Sequence, residues 1–382
     1  IRPVKKGKLL ADFLLRMKAL YRHAGKKARG ALLDEFSAVT GYSRKHAMAV
    51  LRGAYKHTKR RSRRHRQAVY STADRNAVWL LSELFDHVGS KRLRAALDQE
   101  LPRLRAAGHL EVDEECYERL TRVSASTIDR MRSQQRVPGR RLRGGTKPGS
   151  LLKNQVPIRT FADWDDKRVG FVEIDLVQHE GSDPSGIFAC TLHVTDVSTG
   201  WCEPIAIENK AQKRVFDALK RVRRRLPFRL LGIDSDNGAE FINNELIRYC
   251  EQHKLTFTRS RVGRKNDNAF IEQKNYTVVR KLVGYGRFDT PEHVRLLNAL
   301  YERYRLYINF FLPVTKLLRK ERIGTRVKKI YDAPKTPWQR VIDAPEVRQE
   351  RKAALLAAYH QLDVVALRRE IDVLLALSLI HI

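Results

Sequence analysis

Cysteine is scarce in this chain and scattered. Cys116, Cys190, Cys202 and Cys250 are its four thiols, with no C-x-x-C pair among them. That spacing argues against a zinc finger and against a disulfide framework, and it suits a reducing cytosol. Long apolar runs are missing too. Nothing approaches the roughly 20 residues that a membrane-spanning helix needs, and the basic start has no signal-peptide core, so no membrane partner is expected. Acid is also short: 43 Asp and Glu stand against 75 Lys and Arg, a formal net charge of +32. Such an excess opposes compaction and favours a polyanionic partner. Nucleic acid is the usual one, because basic side chains release the counterions condensed on phosphates. The 42% of hydrophobic residues is enough for ordinary cores and excludes a disordered chain. A length of 382 residues suggests two or three domains. The chain begins at Ile1, and its last residues, LSLIHI, resemble translated sequencing-adapter read-through, so the natural termini are expected to lie elsewhere.

Residues 1–67 read as helical and basic. Leu9, Leu10, Phe13, Leu14 and Met17 fall at helical spacing. A second helix carries Leu32, Leu33, Phe36 and Val39; Gly41 supplies a tight turn and Ser43 an N-cap for a third. This is helix-turn-helix grammar, with Arg44 and Lys45 presented on the last helix, although a plain helical pair gives the same pattern. Seven of the eleven residues from Lys56 to Arg66 are Lys or Arg, among them Lys59, Arg60, Arg61, Arg63 and Arg64. A run that dense repels itself and does not pack; an arm lying along DNA phosphates is the expectation. Residues 68–132 form a second helical module, a possible helix-turn-helix. Val78, Leu80, Leu81 and Leu84 make an apolar stripe there, and Ser124 or Ser126 caps its last helix. The span 133–165, rich in Gly and Pro, reads as a basic linker that carries Arg140 and Arg141 to DNA.

From about Val169 the pattern changes to short apolar runs. Strands are predicted at Phe171–Val177, Ile187–Val194, Trp201–Ile207, Arg229–Asp234 and Leu255–Thr258. Helices are predicted at Lys210–Leu226, Asn243–His253 and Asn268–Val283, which makes 166–290 an α/β domain around a mixed sheet. Residues 291–382 read as mainly helical and basic.

Three acids stand where structural acids are uncommon. Asp175 lies inside the apolar run FVEIDLV, Asp236 at the end of RLLGID within DSDNGAEF, and Glu272 in the first turns of a helix in NDNAFIEQKN. A carboxylate in or beside an apolar strand is costly unless paired or bound to metal, and its hard oxygens suit Mg²⁺ or Mn²⁺. Cutting and joining DNA is an in-line displacement at phosphorus, which two such ions can assist. Asp234, two residues before Asp236, is the main rival. Glu173 shares a strand face with Asp175, Asp196 is expected to close a turn, and His179 is a loose candidate for positioning substrate. Glu272, Asn275, Tyr276 and Val279 share one helical face, with Ile271, Val278 and Leu282 toward the core. Arg264 and Lys265 precede that helix, and Lys274 and Lys281 lie on or near it, where DNA contacts are expected.

Together these motifs resemble the catalytic core of integrases and bacterial insertion-sequence transposases from about Thr146 to Arg340. Those proteins carry two aspartates and a glutamate, the last two separated by about thirty-five residues, as Asp236 and Glu272 are here. The block DSDNGAEF is similar to the family's SDNGxEF, and NDNAFIEQKN to its N-x-x-x-E-x-x-N helix start. TDVSTGW (Thr195–Trp201) and YRLYINFFLPVTKLLRK (Tyr304–Lys320) most resemble the group filed as ISNCY. The resemblance implies an RNase H-like catalytic domain with a five-stranded mixed sheet, and Asp175, Asp236 and Glu272 as catalytic acids holding two Mg²⁺ or Mn²⁺ ions. It implies metal-dependent cleavage at element ends and strand transfer of the 3′-hydroxyl into target DNA. It also implies terminal inverted repeats and target DNA as partners, at least a dimer on DNA, no organic cofactor, and a bacterial cytoplasmic, nucleoid-associated location. The family's His/Cys zinc module has no counterpart in this sequence, so repeat recognition falls to residues 1–132. A structure-selective nuclease of the same fold, and a catalytically inactive DNA-binding regulator, are the alternatives.

Overall fold

The computed structural model describes residues 8–53, 69–133, 168–235, 241, 244–259, 271, 274–323 and 326–380. The chain divides into two compact units, Ile1–Val69 and Tyr70–Ile382.

The first unit is three helices, α1 (Lys8–His23), α2 (Lys26–Thr40) and α3 (Arg44–Leu51). They close around Met17, Tyr21, Leu33, Phe36, Ala47, Val50 and Leu51. Gly41 ends α2 in the left-handed region (φ 71°), where a side chain is strained, and its N–H bonds the Ser37 carbonyl at 2.8 Å. Ser43 takes the extended N-cap conformation of α3 without a side-chain cap bond. Val39, expected on the apolar stripe, is exposed instead.

The second unit opens with α4 (Thr72–Leu84), α5 (Ser90–Ala106), α6 (Glu114–Arg122) and α7 (Ala125–Ser133). Ser71 and Asp74 make a reciprocal capping box at the start of α4, and the buried Asp74 carboxylate also accepts from Arg119 Nε at 3.0 Å. The Ser124 hydroxyl accepts the Thr127 N–H, which settles which serine starts α7. The expected stripe on α4 is right for Val78 and Leu81 but wrong for Leu80, which is 64% exposed. Leu80 lies between the buried Val78 and Leu81 and turns outward.

The sheet is a five-stranded mixed one in the order β3-β2-β1-β4-β5. Its strands are β1 (Phe171–Gln178), β2 (Cys190–Asp196), β3 (Cys202–Ile207), β4 (Gly232–Ser235) and β5 (Thr256–Arg259). β1, β2 and β3 pair antiparallel in sequence, while β4 and β5 join parallel on the other side of β1. The parallel half needs crossover helices, supplied by α8 (Gln212–Arg225) and α9 (Asn244–Gln252). β4 begins at Gly232, later than its apolar run suggests. A Cβ on Gly232 would sit 2.6 Å from the Phe171 ring, so only glycine lets these two strands approach. β2 likewise begins at Cys190; Ile187 is exposed and outside it.

β3 is an edge strand, and its outer edge is covered. The Asn309 amide accepts the Cys202 N–H (2.9 Å) and donates to the Cys202 carbonyl (2.8 Å). Asn298 does the same for Ala206 at 3.1 and 2.9 Å. Pro204, between them, has no N–H to leave unpaired. Both asparagines lie on the 20-residue helix Pro291–Phe310, which starts with a Thr290 cap and proline at N1.

The C-terminal region is not simply helical. A hairpin, β6 (Leu317–Ile323) with β7 (Arg326–Tyr331), stands between Pro291–Phe310 and the helices Pro337–Asp343, Gln349–Gln361 and Val364–Ile380. These helices return to α5: Tyr359 stacks on Trp338 at 4.2 Å, Arg103 lies over the Tyr359 ring, and Tyr359 Oη donates to the buried Glu100 at 2.5 Å. All four cysteines are buried and free. No helix among the described residues is long and apolar enough to cross a membrane.

Candidate functional site

β1 is the central strand of the sheet, and Asp175 lies in its middle, half-buried, with His193 of β2 opposite. On the other side Ile174 is in register with Ser235, the last described residue of β4. The Asp175 carboxylate takes two bonds of known geometry. Leu176 N–H donates to Oδ1 at 2.8 Å, and the Asn275 amide donates from Nδ2 to Oδ2 at 2.5 Å. An ionised carboxylate only accepts, so the amide nitrogen of Asn275 must face it and the amide oxygen must face away. That oxygen meets His193 Nδ1 at 2.8 Å. His193 Nδ1 therefore carries the proton, and Nε2 is left to accept from Thr195 Oγ1 at 3.3 Å. Burial keeps this imidazole neutral and pushes it down to about 3, against the opposing pull of the Asn275 bond.

Asn275 reaches the site from a segment that winds as a π-helix, Asn275–Arg280, continued by the α-turn Lys281–Val283. The wider turn changes the face expected from α-helical spacing. Val279, placed on one face with Asn275 and Tyr276 by sequence, is fully buried beside Val278, while Tyr276 is 58% exposed. Single π-turns of this kind recur at functional positions.

The other acids named in this region make bonds of their own. Asp234 is buried in β4 and accepts from Thr258 Oγ1 of β5 at 2.5 Å. Glu173 is buried and accepts the Ile271 N–H at 2.9 Å, so it ties β1 to the chain entering the π-turn. Asp196 closes the β2–β3 turn through Gly170 N–H and both the N–H and hydroxyl of Thr199; burial pushes its carboxyl up to about 6. His179 is buried with Nε2 on Thr191 Oγ1 at 2.7 Å, which in turn meets Tyr301 Oη at 2.8 Å.

Asp236, Glu272, Arg264, Lys265, Arg140, Arg141 and the arm residues Lys59, Arg60, Arg61, Arg63 and Arg64 lie outside the described residues. Among the described residues no group of three or more His, Cys, Asp or Glu side chains is gathered for a metal. Lys274 donates to the Gly200 carbonyl at 3.3 Å, and Lys281 pairs with Asp86 at 2.5 Å. Arg44 pairs with Asp34, and both Arg44 and Lys45 are exposed on α3. His193 was not singled out in the sequence. Its one signal is an ionisable ring in the strand-like stretch CTLHV, and its partner Asn275 is 82 residues away.

Comparison with known proteins places an integrase core domain on residues 165–265, the span of β1 to β5. Among solved structures, the HTLV-2 integrase catalytic core domain in complex with magnesium is 12% identical, with a TM-score of 0.30 over 39% of this chain and 93% of that one. The simian T-cell lymphotropic virus intasome, in complex with the PP2A regulatory subunit B56 gamma, is 13% identical, with a TM-score of 0.32 over 63% and 73%. A relative from Sinorhizobium fredii (strain NBRC 101917 / NGR234), the uncharacterized protein y4rM, is 42% identical over 323 residues, 84% of this chain and 91% of its own length. With identity of that degree along nearly all of the relative, the chain belongs to the family of y4rM, and it carries an integrase core domain.

Proposed function

We propose that the protein is a metal-dependent DNA transposase of the insertion-sequence kind, similar to the ISNCY group, and that Asp175, Asp236 and Glu272 are its catalytic acids. The observation that carries this reading is the position of Asp175. It is a half-buried carboxylate at the centre of a five-stranded mixed sheet, oriented by an amide from a π-turn. Its two partners are one peptide link from described neighbours of β1. Asp236 follows Ser235, whose register partner is Ile174; Glu272 follows Ile271, whose N–H is held by Glu173. Hard carboxylate oxygens of this kind fit Mg²⁺ or Mn²⁺. Two such ions held by the three acids would supply charge stabilisation for the attacking and leaving oxygens.

The chain's own residues orient and insulate. Asn275 fixes the rotamer of Asp175. His193 fixes Asn275 and, being neutral, adds no positive charge beside the acids. In this reading the reaction frees 3′-hydroxyls at element ends and transfers them into target DNA. The exposed Arg44 and Lys45 of α3, with the basic arm after it, bind terminal repeats as a helix-turn-helix. Cutting two ends together calls for at least a dimer on DNA, in the bacterial cytoplasm at the nucleoid. Labelled element-end duplexes with Mg²⁺ or Mn²⁺ test this, with wild type beside Asp236→Asn. The expected result is cutting and joining by wild type and binding alone by the variant. Cutting without joining supports a nuclease instead, and binding by both with no cutting in either ion leaves a DNA-binding regulator.

A further inference from the structure

We infer that the hairpin β6–β7 is a separate DNA-binding element, a basic ribbon that grips the phosphates of a DNA duplex. This rests on the reading of the chain as one that acts on DNA, and it names a surface outside the carboxylate site. The hairpin pairs with no other described strand. An isolated two-stranded ribbon is marginal in water and calls for a partner. It has no apolar core of its own, since Leu318 is 61% exposed and Val327 55%.

Its charge is lopsided. Between Leu317 and Tyr331 stand Arg319, Lys320, Arg322, Arg326, Lys328 and Lys329 against the single acid Glu321. Pairing register distributes that charge unevenly. Glu321 is opposite Lys328 and also accepts from Arg319 at 2.9 Å, so the single acid is shared between two bases. The alternate positions carry Arg322 opposite Val327 and Lys320 opposite Lys329. A polyanion laid along the ribbon meets these bases with only Glu321 to oppose it. Arg322 and Lys329 are both exposed. The basic surface continues into a groove lined by Lys91 and Arg92 of α5 together with Lys328 and Lys329.

The base of the ribbon is firm. Val314 and Lys335 exchange backbone bonds at 2.8 and 3.2 Å, and Lys316 N–H bonds Asp332 at 2.7 Å. A two-stranded ribbon fits the major groove of B-form DNA, roughly 12 Å wide. The deep, narrow major groove of A-form RNA does not admit it. DNA is therefore the partner that the shape selects.

The test measures affinity of the full chain for a generic DNA duplex across a salt series without divalent ions. The proteins compared are wild type, the triple variant Arg322→Gln/Lys328→Gln/Lys329→Gln, and a control, Lys213→Gln/Arg348→Gln/Arg351→Gln, which removes equal charge from exposed positions elsewhere. Each lost phosphate contact lowers the slope of log affinity against log salt by about 0.9, so the hairpin variant is expected to lose roughly 2 to 3 and the control much less. Glu321→Lys is expected to tighten binding severalfold, a gain that an unfolded hairpin would not give. Equal losses in the two triple variants, or no gain from Glu321→Lys, overturn the proposal, and so does tighter binding of an RNA duplex than of DNA. The catalytic reading is judged separately: a chain that binds DNA through the hairpin yet never cuts refutes that reading alone, and one that cuts normally while the hairpin variant keeps wild-type binding refutes only the hairpin.

Discussion

One amide does two jobs at Asn275: it donates to Asp175 and accepts from His193. Alanine there frees the carboxylate to rotate, and partners of this kind are typically worth 10–100-fold in metal affinity or activity. Asn275→Ala is accordingly expected to lower Mn²⁺ affinity by that range while circular dichroism stays native. Asn275→Asp is expected to do worse, because it sets a second carboxylate where the Asp175 donor was. Mn²⁺ binding followed by electron paramagnetic resonance checks both, and unchanged affinity in Asn275→Ala would remove the positioning role. His179 makes a different prediction. Burial pushes it down to about 3, with the charge of Arg280 acting in the same direction. Between that value and the ordinary 6.5 the unfolded chain binds the proton and the folded chain does not. Its contribution to stability is therefore complete above about pH 6.5 and is lost as pH falls toward 3, at about 1.4 kcal/mol per unit of pH at most. Denaturant titrations of wild type and His179→Gln at pH 7 and pH 5 should show a smaller acid loss in the variant; equal losses would mean that His179 does not remain neutral.

Single elements show what the sequence exposes and what it hides. The strands of the sheet were legible because FVEIDLV and its neighbours are short apolar runs between Gly and polar breaks, and the helices α8 and α9 because their apolar residues recur every three or four positions. The π-turn was not legible: α-helical spacing puts Tyr276 and Val279 on one face, whereas in the wider turn Val279 is buried and Tyr276 exposed. The hairpin β6–β7 was hidden because basic residues occupy both of its faces and erase the alternation that marks a strand. At the site, the acids were visible as charges in apolar company, while His193 was not, because its role depends on a partner brought by the fold. The covering of β3 was equally invisible, being made by two amides about a hundred residues downstream. It gives the prediction at this scale. Asn309→Leu strips both bonds from Cys202 and leaves a buried N–H and C=O unpaired, which is expected to destabilise by roughly 2–4 kcal/mol. Urea unfolding measures it, and a loss under about 0.5 kcal/mol would show that the strand edge does not need this helix.

Across the whole of Tyr70–Ile382, the leading helices, the sheet and the C-terminal helices share one buried core. Tyr307 Oη donates to the Leu84 carbonyl at 2.5 Å, Arg103 donates to the carbonyls of Tyr359 and Leu362, and Lys281 joins the end of the π-turn segment to Asp86. A load on α4–α7 therefore reaches the segment that presents Asn275 through direct bonds. The placement of the four thiols adds a practical consequence. All of them lie in this unit and none in Ile1–Val69, and burial pushes Cys116 and Cys250 up to about 12. Only the thiolate reacts with an alkylating reagent, and here it must be both uncovered and ionised. The cysteines thus act as a clock wired to a single unit: their labelling rate counts openings of Tyr70–Ile382 and is blind to the three-helix unit before it. Any ligand that closes the sheet and its helices will slow that clock, without a dye, a tag or a known substrate.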